Sequence, residues 1–142
     1  MQYITTTNSP EETIEFGKRI GSVLKGGEVI AYKGDLGMGK TTLTRGIAMG
    51  LGLDDIVSSP TFALVNEYRG GRLTLYHFDM YRINTAEALE STGYYDYLSD
   101  DSVICVEWSE NTAGLLDETV TITISGQGDT RTITVEPDIF EE

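Results

Sequence analysis

Eight consecutive residues, Gly34-Asp35-Leu36-Gly37-Met38-Gly39-Lys40-Thr41, match the pattern G-x-x-x-x-G-K-[ST] without a gap. Glycines at positions 34, 37 and 39 let backbone N–H groups curl around an anion with no Cβ in the way. A helix starting near Lys40 would add the positive end of its dipole at the same point. The chemistry that suits this arrangement is the binding of a triphosphate. Lys40 would reach the β- and γ-phosphates, the Thr41 hydroxyl is placed to ligate Mg²⁺, and Thr42 can hydrogen-bond phosphate from the next position. The bland alternative is a glycine turn between a strand and a helix, and the unbroken motif in that context argues against it.

A phosphate cradle of this kind needs a carboxylate at the C-terminal end of a neighbouring strand, to hold the metal directly or through water. Two residues compete. Glu107 ends the apolar run Val103-Ile104-Cys105-Val106, and Asp79 ends Leu73-Thr74-Leu75-Tyr76-His77-Phe78, whose alternation suits an edge strand. One could hold Mg²⁺ while the other orients or deprotonates the attacking water, and the sequence leaves the assignment open. Thr61, in the loop Ser58-Ser59-Pro60-Thr61, stands where a γ-phosphate sensor would lie, although Pro60 also suits a plain turn. Trp108 reads either as a lid or as core packing. His77 reads as structural, and Arg45 and Arg82 are the arginines best placed to approach phosphate.

These residues need a scaffold. Ser9-Pro10-Glu11-Glu12 reads as a capping box that starts a helix running to about Lys25. Its Gly17 and Gly21 either weaken the helix or allow close packing. Val29-Ile30-Ala31-Tyr32 is a short strand leading into the glycine loop. Leu43, Ile47 and Leu51 then recur at helical spacing. Phe62–Tyr68 and Arg72–Phe78 flank Gly70-Gly71 as a hairpin, and a short helix follows from Thr85 to about Ser91. The run from Ser102 to Val106 is continuously apolar after its first residue, as a strand covered on both faces requires. Val120, Ile122 and Ile124 alternate with threonines before a turn at Gly126–Asp129 and a second alternating run. The expected fold is a three-layer α/β domain of the P-loop NTPase type, with a mixed central sheet and antiparallel hairpins.

Length and composition narrow the function classes. The chain has 142 residues, which predicts one domain spanning 1–142. No apolar run approaches the roughly 18 to 20 residues of a membrane span, and the N-terminus lacks a signal-peptide pattern, so a cytoplasmic location is expected. The single cysteine, Cys105, lies in an apolar run and reads as core. With 23 acidic residues against 10 basic, the formal charge is −13. That balance argues against unassisted binding of nucleic acid, which needs clustered lysines and arginines.

Four blocks, GDLGMGKTTLTRG at 34–46, SSPTFALVNEY at 58–68, LYHFDMYRI at 75–83 and ICVEWSE at 104–110, together resemble the TsaE family of small bacterial ATPases in tRNA threonylcarbamoyladenosine biosynthesis. Met38 stands where that family usually has alanine, and Ser109 where proline is frequent. The resemblance implies that Gly34–Thr42 bind ATP, that Thr41 and Glu107 ligate Mg²⁺, and that Asp79 and Thr61 are functional. It also implies that Trp108 lies near the nucleotide, that Arg131 lies over the base, and that Glu11–Thr13 line the other side. The implied partners are TsaD-like and TsaB-like proteins, with tRNA engaged only through them and weak ATPase activity in their absence. A nucleotide-dependent assembly module and a small-molecule kinase are the alternative functions. An N-K-x-D base-reading segment, which would indicate guanine, does not follow the glycine loop.

Overall fold

The structure is a computed structural model that describes residues 2–33, 39–53, 65–79, 85–107 and 119–140, with Asp79 described through its backbone. The elements follow, among the described residues, in the order β1 (Tyr3–Thr7), α1 (Pro10–Val23), β2 (Val29–Lys33), α2 (Lys40–Gly50), β3 (Val65–Tyr68), β4 (Thr74–Asp79), α3 (Ala86–Ser91), β5 (Ser102–Glu107), β6 (Thr119–Gln127) and β7 (Thr130–Glu136), with a 3₁₀ turn at Tyr94–Tyr97 after α3. Among the described residues the strands form one sheet in the order β1-β7-β6-β2-β5-β4-β3. The central four, β6, β2, β5 and β4, are parallel. β3 adds antiparallel to β4 at one side, and β7 and β1 add antiparallel at the other.

Helices α1 and α2 cover one face, where Phe16, Ile20, Leu43, Ile47 and Leu51 meet Ile30, Tyr32, Val103 and Ile122. On the other face Leu89 of α3 and Tyr94 of the 3₁₀ turn pack on Val29, Phe78, Ile104 and Val106. This is the expected three-layer arrangement. Every residue of β5 is buried, as its continuous apolar reading requires. In the terminal hairpin the alternation is also realised: Ile122, Ile124, Ile133 and Val135 are buried, while the intervening threonines are half-buried or exposed.

The α1–α2 contact explains the glycines of α1. A Cβ built on Gly17 would stand 2.8 Å from the Gly46 Cα, and one on Gly21 would stand 2.9 Å from the Gly50 Cα. Two pairs of glycines, each spaced by four, let the helix backbones touch. Ser9 starts α1 as expected, accepting from the Glu12 N–H at 3.1 Å, while Glu12 reaches back to the Asn8 N–H at 3.0 Å. The helix ends at Val23 rather than Lys25. Its carbonyls at Gly21 and Leu24 accept from the two terminal nitrogens of Arg72, each at 2.8 Å.

Two readings are corrected. β4 is interior, with β3 outside it, so Asp79 does not end an edge strand. The N-terminal residues Tyr3–Thr7, given no element from sequence, form an edge strand paired along its length with β7. Among the described residues no helix is long and apolar enough to cross a membrane.

Candidate functional site

β2 lies between two parallel neighbours, and α2 begins seven positions after its last residue. Gly39 caps α2 in the left-handed conformation (φ 101°, ψ 13°), a geometry in which a Cβ would be strained. Lys40 is the first helical residue and only 5% exposed. The start of the helix is tied to β2 through Thr44, whose hydroxyl donates to the Lys40 carbonyl at 2.8 Å and lies 2.6 Å from the Tyr32 hydroxyl. The Tyr32 hydroxyl is in turn 3.9 Å from the Cys105 sulfur. Burial pushes the Cys105 thiol up to about 12 and raises the Tyr32 phenol well above its ordinary value. Both groups are therefore neutral, and Cys105 is core as the sequence suggested.

Glu107 closes β5 at 7% exposure. Ala31 pairs with Val106, so Glu107 comes level with Tyr32, at the strand ends where open α/β sheets bind ligands. The backbone of Asp79 pairs with Glu107, which puts both acidic positions at one sheet edge. Beside them, the Nε2 of fully buried His77 lies 2.6 Å from the Glu107 Oε2. Neither His77 nitrogen makes an aligned hydrogen bond among the described residues, so the contact is a close polar approach rather than a formed hydrogen bond. A buried polar group left so costs about 1–3 kcal/mol.

A second part of the site lies at the other side of Gly39. Pro10, Thr13, Gly39, Thr42, Asp129 and Arg131 line a small cleft of about 40 Å³. The Thr13 hydroxyl is 2.7 Å from that of Thr7, and both are buried. Arg131 donates to the Thr130 carbonyl at 3.0 Å and to the Gly128 carbonyl, which holds its guanidinium beside the start of α2. Thus Thr13, Gly39, Thr42 and Arg131, singled out along three stretches of the sequence, converge. Glu11, exposed in the first turn of α1, does not line this cleft. Pro10 and Asp129 do, and only the fold reveals them. Gly34, Asp35, Leu36, Gly37, Met38, Thr61, Arg82, Trp108 and the Asp79 side chain lie outside what is described.

Lys40 and Glu107 are, among the described residues, the donor types that a magnesium–triphosphate group would need. Among the described residues no cluster of three or more His, Cys, Asp or Glu side chains gathers to hold a metal alone. A cation here would complete its shell with phosphate oxygens and water, as Mg²⁺ does readily. The buried lysine at a helix start and the buried carboxylate on the next strand supply the complementary charges.

A central parallel strand, a helix opened by a left-handed glycine and an acidic residue ending the adjacent strand fit a P-loop-type α/β fold. The chain belongs to the TsaE family: the model for "Threonylcarbamoyl adenosine biosynthesis protein TsaE" matches residues 7–133. It is 40% identical over 126 residues to the tRNA threonylcarbamoyladenosine biosynthesis protein TsaE of Haemophilus influenzae, covering 84% of this chain and 80% of that one. The corresponding protein of Treponema pallidum is 39% identical over 131 residues, covering 91% and 96%. The crystal structure of Bacillus subtilis YdiB superposes with a TM-score of 0.73 at 36% identity, covering 95% of this chain and 84% of that one.

Proposed function

We infer that this protein is the Mg²⁺-dependent ATP-binding and hydrolysing component of a tRNA threonylcarbamoyladenosine machinery, acting on a TsaD-like and TsaB-like pair to permit turnover. The observation that carries the reading is the junction of Gly39 and Lys40 beside β2, with buried Glu107 level with the same strand. In this reading Lys40 binds the β- and γ-phosphates, and Thr41 and Glu107 hold the cation. Asp79, whose backbone pairs with Glu107, would orient water, and the base would lie against Thr13 and Arg131 at the rim of the cleft. Bound Mg²⁺ would neutralise charge developing on the transferred phosphoryl group. The acidic composition agrees with tRNA being held by the partners.

The test is reconstitution with the TsaD–TsaB pair. Phosphate release should rise when the pair is added, and Lys40→Ala and Glu107→Ala should each abolish repeated formation of threonylcarbamoyladenosine. Full turnover in both variants would overturn the reading. Full turnover with a non-hydrolysable analogue would reduce the protein to an assembly module.

A further inference from the structure

His77 occupies a place where packing alone gives no reason for an imidazole. β4 is interior, and its register puts His77 opposite Cys105 on the sheet face that also carries Leu75 and Val103. A leucine or phenylalanine would fill such a position without stranding polar atoms away from water. The imidazole instead leaves Nδ1 without a partner among the described residues, and its Nε2 meets one polar group, the Glu107 carboxylate, at 2.6 Å. Register produces this meeting. Asp79 pairs with Glu107, so His77, two residues earlier, lies on the same face and diagonal to it.

We propose that His77 is a positioning residue: it holds Glu107 through Oε2 and leaves the other carboxylate oxygen for the cation. This rests on the reading of Glu107 as the metal-side carboxylate. Partners that orient a metal-binding carboxylate commonly set metal affinity without touching the ion.

His77 is the only histidine in the chain, so its ring nitrogens can be observed without interference. In protein carrying ¹⁵N-histidine and saturated with a β,γ-non-hydrolysable ATP analogue, adding Mg²⁺ should shift the Nε2 signal more than the Nδ1 signal. Two variants give an independent readout. In His77→Gln the amide nitrogen stands near the place of Nε2; in His77→Asn it stands near that of Nδ1. The Mg²⁺-dependent gain in analogue affinity should fall by about 10- to 100-fold in His77→Asn. It should stay near wild type in His77→Gln, and metal-free affinity should be equal in all three. Imidazole signals that ignore Mg²⁺ while the analogue binds, or equal metal dependence in the two variants, would overturn the proposal for His77 alone. Wild-type protein that gains nothing from Mg²⁺ would overturn the reading of Glu107 as well.

Discussion

The Nε of Arg131 lies 3.6 Å from the point where a Cβ on Gly39 would stand. The last strand of the sheet thereby closes over the first turn of α2, joining two residues far apart in the chain at the mouth of one cleft. β1 secures the arrangement, because Thr7 pairs with Arg131 while its hydroxyl contacts Thr13.

Gly39→Ala tests the backbone at this junction. With φ at 101° an added Cβ is strained by roughly 1–2 kcal/mol. Relief of that strain is expected to shift the start of α2, lowering ATP affinity by about tenfold. Fluorescence titration checks this, and thermal melting should show only a modest loss of stability.

Gly46→Val tests the helix contact. Its Cβ would lie 2.3 Å from the Ile14 carbonyl oxygen and 2.9 Å from the Gly17 Cα, both backbone atoms that cannot swing aside. Urea unfolding should report a loss of about 1–3 kcal/mol or more. Unchanged stability would contradict the close approach of α1 and α2.

The local parts of this architecture were legible because each rests on a local signal. Ser9 and Pro10 mark the start of α1, the Gly70-Gly71 pair marks the hairpin, and the apolar run into Glu107 marks a buried strand. What escaped depends on partners distant in sequence. Tyr3–Thr7 carries three threonines and an exposed Ile4, and it becomes a strand only because β7 supplies its ladder. The alternation of Leu73–Phe78 suggested an edge, yet β3 takes the outer place and β4 is covered on both faces. The approach of His77 to Glu107 escaped because nothing in its neighbourhood announces that parallel pairing brings the two together. Pro10 and Asp129 entered the cleft in the same way, through the meeting of α1 and the β6–β7 turn at the start of α2.

Arg72→Met should separate folding from function. The guanidinium satisfies the carbonyls of Gly21 and Leu24 at the end of α1, and bonds from a charged donor contribute about 1.5–3 kcal/mol. A fall in stability of about that size is expected in urea, with ATP affinity unchanged where the variant is folded.

Tyr32 makes stability fall in alkali. Burial, the largest cause, raises its folded-state value well above the ordinary 10.0, so the unfolded chain loses this proton first. The contribution is intact below about pH 10 and lost as pH rises further, at up to about 1.4 kcal/mol per pH unit. Urea midpoints measured in metal-free buffer at neutral and alkaline pH should fall more steeply for wild type than for Tyr32→Phe. Parallel profiles would contradict this.

The central claim, that the turn into α2 grips a triphosphate, is tested most directly by calorimetric titration of Mg·ATP into the purified protein and into Lys40→Ala. Wild type should give a saturable one-site isotherm. Loss of the charged donor should weaken binding by roughly 1.5–3 kcal/mol, about ten- to a hundredfold in affinity. No heat with wild type, or identical isotherms with a folded Lys40→Ala, would contradict the account.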